Sequence, residues 1–220
     1  MQSNTAKIHR LRDGTVIRCR AVRASDRTKL VAGFEKFSSE SRYRRFFSPT
    51  PRLTNAMLDR LLDIDGEDRV AIGAERMLVG LLPGPGLGIA RFTRLPESTQ
   101  VAEMAVSVVD EMQGRGLGMI LLRELSAAAH AHGISRFTAW VQPDNEPMKA
   151  LIHKLDPDAR SHVEDGLLVF ELTVPGTITV PTERRPRGRG SVLGGFADWC
   201  TGGLRQLLPG RLVVDPLHLF

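Results

Sequence analysis

This sequence has few cysteines, no long apolar run and no apolar leader. Each of these absences argues against a class of protein. The chain of 220 residues has two cysteines, Cys19 and Cys200, which argues against a disulfide framework or a zinc site and fits a reducing compartment. No apolar run reaches the ~18 residues that a membrane span needs. The start of the chain has no apolar segment, so we expect no secretory signal. These absences predict a cytoplasmic protein.

Positive charge is in excess, but it is unevenly distributed. The formal net charge is +5, whereas residues 1–50 alone carry 12 lysines and arginines against 4 acidic residues. Such an excess is typical of proteins that bind nucleic acid, acidic surfaces or phosphorylated ligands, and it also occurs on ordinary solvated surfaces. A second cluster at 184–189 has four arginines without interleaved aromatic residues, which is weak evidence for nucleic-acid binding. We therefore expect no nucleic-acid partner.

Hydrophobic periodicity predicts a mixed α/β domain. The predicted strands span residues 15–22, 69–75, 87–95, 101–109, 137–141 and 167–174, with Val163 in a last strand or hairpin. The predicted helices span residues 25–34, 37–47, 55–62, 116–132 and 145–155. Leu82–Gly86 is rich in proline and glycine and predicts a loop.

The composition changes at Pro175, which predicts three regions. Residues 1–174 form the folded domain, and residues 175–191, rich in Pro, Gly, Thr and Arg, form a linker. Residues 192–220 form an apolar, amphipathic C-terminal tail. We expect this tail to pack on its own domain or on a second subunit, so a homodimer and a tail-mediated partner are both open alternatives.

The most informative segment is a strand that runs into a loop with three glycines, Gln113–Gly118, which opens a helix. Glycines let the backbone approach a ligand closely, and the N–H groups of a helix N-terminus form an anion site suited to phosphates. Arg115 can add a charge-assisted contact. A P-loop needs Lys-Ser or Lys-Thr after the last glycine, and a dinucleotide fingerprint needs glycine at position 119; Met119 and Ile120 stand there. Both nucleotide-binding motifs therefore fit poorly.

The string Gln113-Gly114-Arg115-Gly116-Leu117-Gly118 resembles the Arg/Gln-x-x-Gly-x-Gly/Ala motif with which GNAT acetyltransferases hold the pyrophosphate of coenzyme A. The elements around it follow in the order of that family, over about residues 12–174. The chain most resembles the bacterial Pat-like protein lysine acetyltransferases, which share an opening like Leu11–Thr15 and a segment like Ser38–Phe47.

The resemblance implies the GNAT fold, a mixed and mostly antiparallel sheet of six to seven strands that is flanked by helices. The fourth and fifth strands of this fold splay apart. The open edge of the fourth would pair with the pantetheine arm through the backbone of Val106 and Val108, on either side of Ser107. Asn145 would hold the pantetheine with its amide, or it caps its helix, and the two roles are compatible. Acetyl-coenzyme A would be the acyl donor, with no metal.

Glu103 is the predicted general base. A lysine amine, with a reference pKa near 10.4, must lose a proton before it attacks a thioester, and a carboxylate can accept that proton directly or through a water. The position matches the general base of Pat-like enzymes, although a surface glutamate in an ion pair is the alternative. Glu97, Asp110 and Glu111 are weaker candidates, since they lie at predicted strand ends or in the loop.

The predicted function is transfer of an acetyl group from acetyl-coenzyme A to a primary amine, foremost a protein lysine. The alternatives are a small amine acceptor, such as an aminoglycoside, polyamine or amino acid, and a non-catalytic module that binds coenzyme A. The chain departs from many GNAT enzymes in one respect: the helix after Asn145 has His153 but no tyrosine to protonate the departing thiolate. The arginines of Ser38–Phe47 could attract an acidic surface around the target lysine, but a structural helix with Phe46 and Phe47 in the core fits equally well.

Overall fold

The structure is a computed structural model that describes residues 6–50 and 52–176. The strands are β1 (Lys7–Arg10), β2 (Val16–Ala21), β3 (Arg69–Met77), β4 (Pro83–Arg94), β5 (Val101–Val108), β6 (Arg136–Val141), β7 (Arg160–Glu164) and β8 (Leu167–Thr173). The helices are α1 (Arg27–Glu35), α2 (Ser39–Phe46), α3 (Asn55–Leu61), α4 (Leu117–Ala131) and α5 (Glu146–Leu155). The predicted C-terminal tail, and the predicted linker from residue 177 onward, lie outside the described residues.

All of these strands form one sheet in the order β1-β2-β3-β4-β5-β6-β8-β7. Every neighbouring pair is antiparallel except β5 and β6, which are parallel. The fold class is therefore as predicted, but the sheet has eight strands rather than six to seven. The sequence analysis missed β1 because its four residues include one apolar side chain, Ile8, which is 54% exposed.

The predicted loop at Leu82–Gly86 is wrong in its placement. The reversal lies at a 3₁₀ turn, Val79–Leu81, where Gly80 has a φ of 74°. β4 already begins at Pro83, which pairs with Met77 of β3 across an irregular register. β4 pairs with β5 only from Gly88 onward, so the first residues of β4 have no β5 partner on that side. Proline has no N–H to donate, and it is tolerated at such an edge because no neighbouring strand needs that hydrogen bond.

The main core lies between the sheet and α4, which packs against β3, β4 and β5. Leucines recur on one face of α4, and each stabilises the fold by roughly 1.5–3 kcal/mol through burial. A satellite cluster of Phe34, Phe46 and Met57 joins α1, α2 and α3. Thr54 caps α3 as predicted, with its hydroxyl accepting from the N–H of Met57. Within the described residues, no helix has the length and apolar character that a bilayer span requires.

Candidate active site

The candidate site lies where the neighbouring strands β5 and β6 separate. β5 and β6 pair only from Val101↔Arg136 to Glu103↔Thr138. Beyond Glu103 they separate, and a cleft of about 380 Å³ is lined by both strands, by α5 and by the start of α4. The splay expected of the family's fourth and fifth strands is therefore present, and it falls at β5 and β6 because β1 adds one strand to the count.

The loop before α4 gives this cleft an exposed helix N-terminus. Gly114 and Gly116 have φ values of 71° and 91°, which favour glycine because a side chain would be strained there. Gly116 is the N-cap of α4, and no side chain caps the helix. Gly116, Gly118 and Met119 line the cleft, and first-turn N–H groups have no intrahelical partner. Together with the helix dipole, these groups have the chemistry that a phosphate ligand requires.

Gln113 holds the loop against α2. Its side-chain amide lies 3.2 Å from the Ser41 hydroxyl, 3.2 Å from the Val108 carbonyl and 3.1 Å from a carboxylate oxygen of Asp110. Asp110 in turn accepts from the backbone N–H of Ser38 at 3.0 Å. Gln113 lines the cleft as expected, and its amide also sets the shape of the loop.

Two residues of the predicted motif do not line the cleft with their side chains. Arg115 donates to the Asp13 carboxylate at 2.6 Å, and the hydrogen bonds from Thr15 and Arg115 lower the pKa of Asp13 to about 2. Leu117 is 1% exposed in the main core. A ligand in the cleft can therefore meet Leu117 only through its backbone.

The remaining predicted contacts face the cleft. Val106, Ser107 and Val108 of β5 line it, and β6 no longer covers this stretch of the strand. Asn145 lines it from the opposite side and also caps α5, since its side-chain oxygen accepts from the N–H of Met148 at 3.2 Å. The capping role is confirmed, and it leaves the amide nitrogen available to a ligand.

A smaller chamber of about 80 Å³ lies on the face of β4 and β5 that α1 covers. Phe37, Arg45, Ala105 and Ser107 line both the chamber and the cleft, so the two cavities adjoin. Glu103, Ala105 and Ser107 share one face of β5, because alternate residues of a strand point the same way. An acyl group held in the cleft at β5 would therefore lie next to the chamber.

Glu103 lies on the same face of β5, at the last residue that still pairs with β6, and it lines neither cavity. It is partly buried, and it makes no hydrogen bond or ion pair with the described residues. Burial raises its pKa to about 7, against the opposing charges of Arg45 and Arg91. Since an effective general base has a pKa near the operating pH, this environment suits proton transfer.

The other candidate acid–base residues lie outside the two cavities. Glu111 pairs with Lys36 at 3.2 Å, and Asp110 accepts hydrogen bonds from the α2 segment. Glu97 is exposed in the turn before β5. His153 is exposed, with its ring edge-on to Phe170 at 5.7 Å. None of the four lines either cavity.

The sequence analysis missed two arginines that act on Glu103, the half-buried Arg45 and the buried Arg91. Burial lowers the pKa of Arg45 to about 9 and that of Arg91 to about 10, and Glu103 raises both. The predicted core position is confirmed for Phe46, at 3% exposure, but it is wrong for Phe47, which ends α2 in a left-handed conformation and lines the cleft. The available signal was Arg91 itself, a charged residue at an inward position of an apolar strand.

The chain belongs to the GNAT acetyltransferase family. The family model described as "Acetyltransferase (GNAT) family" matches residues 40–156. The chain is 36% identical to acetyltransferase Pat of Mycolicibacterium smegmatis over 175 residues, which cover 79% of this chain and 50% of the relative. It is 28% identical to acetyltransferase PA5475 of Pseudomonas aeruginosa, over 71% of this chain and 86% of that protein.

Solved structures agree with this assignment. The GNAT domain of S. lividans PAT superposes with a TM-score of 0.69 and 32% identity, over 79% of this chain and 99% of that domain. The cAMP-binding acyltransferase from Mycobacterium smegmatis superposes with a TM-score of 0.55 and 31% identity, over 81% of this chain and 50% of that one. The chain thus spans about half the length of these mycobacterial relatives. The Salmonella typhimurium protein yncA, solved with its cofactor acetyl-CoA, shares the fold at 17% identity and a TM-score of 0.57.

Proposed function

We propose that the protein transfers an acetyl group from acetyl-coenzyme A to a primary amine, and that the side-chain amine of a protein lysine is the acceptor. The observation that carries this proposal is the uncapped N-terminus of α4, which opens into the cleft between β5 and β6. This arrangement suits a ligand with a phosphate at one end and an extended amide chain at the other.

The parts of coenzyme A match the parts of the cleft. Its pyrophosphate would bind the backbone N–H groups of residues 114–119. Its pantetheine arm would pair with the backbone of Val106 and Val108, where β6 is absent, while the amide nitrogen of Asn145 donates to it from α5. The carbonyl of Val108 already accepts from Gln113, so the N–H groups of this strand are the more available partners.

The reaction is direct attack of the amine on the thioester. The amine nitrogen forms a bond to the carbonyl carbon, and Glu103 accepts the amine proton, directly or through a water. A backbone N–H of β5 stabilises the tetrahedral oxyanion. The C–S bond then breaks, and the coenzyme A thiolate leaves and takes its proton from water, so the absence of a tyrosine in α5 does not stop the reaction.

The choice of a protein lysine depends on the resemblance to Pat-like enzymes, with 36% identity to acetyltransferase Pat over 175 residues. A small amine acceptor and a module that only binds coenzyme A are the alternatives. We also propose a cytoplasmic location, which suits the use of coenzyme A and the buried free thiol of Cys19.

Calorimetry with acetyl-coenzyme A, together with a free-thiol assay, tests the proposal. We expect binding, and thiol release that depends on added lysine-bearing protein. Thiol release with small amines alone would contradict a protein acceptor. Binding without release from any acceptor would favour the non-catalytic module, and no binding would contradict the proposal as a whole.

A further inference from the structure

Arg91 is a buried cation whose hydrogen-bonding capacity is largely unused. It lies in the middle of β4 and is 4% exposed. Its Nη1 has no hydrogen-bond partner among the described residues, and its Nη2 lies 3.5 Å from the Thr93 hydroxyl, beyond the usual range of such a bond. None of the carboxylates in the described part of the chain forms an ion pair with it. Because a buried charge without a partner is costly, this arrangement calls for an explanation.

The strand register places Arg91 beside the predicted reaction centre. Arg91 pairs with Ala105 of β5, while the neighbouring pairs on the same face are Ile89↔Ser107 and Thr93↔Glu103. Residues diagonal to one another across two strands are within reach of long side chains. Arg91 therefore lies between Ser107 and Glu103, and it lines the chamber together with Ser107.

Ser107 is the second buried group without a partner. Its hydroxyl oxygen is inaccessible to solvent and makes no hydrogen bond within residues 6–50 and 52–176. Its residue lines both the chamber and the cleft. Two unused donors, the Arg91 guanidinium and the Ser107 hydroxyl, thus belong to one small cavity, and a carboxylate has the acceptor oxygens that such donors need.

The carboxylates near Arg91 do not use these donors. Glu103 and Asp63 act on Arg91 only at a distance, and Asp63 is paired with Arg69 at 3.3 Å. If Arg91 served only to balance Glu103, the two unused donors would have no explanation. An anion from outside the protein accounts for both donors.

We propose that one of the two substrates carries a carboxylate, which enters the chamber and accepts hydrogen bonds from Arg91 and Ser107. The inference rests on the proposed acyl transfer and specifies the class of substrate. Two sources share this chemistry: an acyl group with a terminal carboxylate on coenzyme A, such as succinyl, and an amine acceptor that bears a carboxylate. The carboxylate of either substrate could reach the chamber from the cleft, because the two cavities adjoin at Ala105 and Ser107.

Matched substrate pairs test the inference. The donor pair is succinyl-coenzyme A and 4-methylpentanoyl-coenzyme A, which has a similar shape without the charge. The acceptor pairs are primary amines offered as the free acid and as the methylamide, starting with Nα-acetyl-lysine. Binding is measured by calorimetry and turnover by thiol release. Hydrogen bonds to a charged group raise binding affinity by about a factor of ten or more. We therefore expect the acid to be preferred at least about tenfold over its uncharged partner, either among the donors or among the acceptors.

Arg91→Met should reduce that preference to about onefold, because it keeps much of the side-chain volume but removes the donors. Arg76→Met is the matched control, since Arg76 is a partly buried arginine of the neighbouring strand that lines neither cavity. It should keep the wild-type preference. If Arg91→Met does not fold, Ser107→Ala, which removes only a hydroxyl, should lower the preference several-fold.

Equal binding and turnover of both members of every pair by the wild type would overturn the inference, as would a preference that survives in Arg91→Met. Either result leaves acyl transfer intact if thiol is still released. Conversely, acid-selective binding that depends on Arg91, without thiol release from any pair, would support the carboxylate site and contradict the proposed transfer. The failure of one idea is therefore distinguishable from the failure of the other.

Discussion

Two glutamates on the same sheet have arginines nearby, and they differ in whether those arginines touch them. Glu75 of β3 is 3% exposed and accepts hydrogen bonds from Arg18, Arg20 and Lys29. Burial alone would raise its pKa, but the three hydrogen-bonded cations outweigh burial and hold the pKa below the ordinary value. Glu103 of β5 is only partly buried by its surface exposure, it forms no ion pair with the described residues, and its pKa is raised to about 7.

Contact with cations therefore separates the pKa values of the two carboxylates. Hydrogen bonds to the charged form stabilise it and make it a poor base, whereas burial without contact destabilises the charged form and raises its proton affinity. The cations near Glu103 moderate this effect but do not abolish it. The contrast makes Glu103 the better candidate for a base, and variants of both glutamates test it.

The largest expected effect is on the rate of acyl transfer. Glu103→Gln should lower kcat by about 10²–10⁴-fold, the usual contribution of a general base, while acetyl-coenzyme A binds with unchanged affinity. Thiol release and calorimetry measure the two quantities. Glu97→Gln, at an exposed glutamate of the turn before β5, is the control and should retain full activity. Full activity in Glu103→Gln would assign the base elsewhere.

The next largest effect is on stability, and we expect it for a variant of Glu75 but not for one of Glu103. Glu75→Gln leaves Arg18 and Lys29 without their carboxylate, while Arg20 keeps Asp26. We expect a loss of about 3 kcal/mol in the free energy of unfolding, the lower end for a broken buried ion pair, because the cations are partly exposed. Glu103→Gln should be neutral or stabilising, because it removes a charge that burial disfavours. Urea denaturation of both variants checks the contrast, and equal losses would contradict it.

The pH dependence should also differ. The ratio of the wild-type rate to the Glu103→Gln rate should fall about tenfold for each pH unit below about 7, because the base must be ionised, and it should be constant above that value. The ratio cancels the ionisation of the acceptor amine, which both enzymes share. A ratio that does not change between pH 5 and 8 would contradict the assignment.

Stability should respond to pH with opposite signs. The folded pKa of Glu103 is raised from 4.5, so the wild type should lose stability relative to Glu103→Gln as the pH rises from about 4.5 to about 7. The folded pKa of Glu75 is lowered, so its contribution is present above the ordinary value and is lost as the pH falls through the folded pKa. Denaturation curves of the wild type and the two variants would separate the contributions, with the Glu103 effect between about pH 4.5 and 7 and the Glu75 effect below 4.5.

The donor side of the site could be predicted from sequence because it is local. The strand, the glycines of the loop and the periodicity of α4 lie within one continuous stretch, and the backbone supplies most of the binding groups. The same stretch carries the resemblance to the family. Through that resemblance, the fold and the separation of β5 and β6 could also be predicted.

The chamber could not be predicted, because its parts are far apart in the chain. Arg45 comes from α2, Arg91 from β4 and Ser107 from β5, and the register Arg91↔Ala105 sets Arg91 beside Ser107. A one-residue slip in that register would turn Arg91 to the opposite face. The start of β4 was missed for a related reason, since Pro83 is tolerated only because β5 does not pair there.

The smallest effect concerns the two glycines that bracket α4. Gly116 and Gly133 have φ values of 91° and 73°, and a Cβ added at either position would meet no atom within 4 Å. Alanine at either position should therefore cost about 1–2 kcal/mol through backbone strain alone. Only Gly116→Ala should also weaken acetyl-coenzyme A binding, because Gly116 lines the cleft and positions the first-turn N–H groups, whereas Gly133 ends the helix at its far end. Thermal denaturation and calorimetry of both variants separate the two effects, and equal affinity in the pair would show that the N-terminus of α4 does not hold the cofactor.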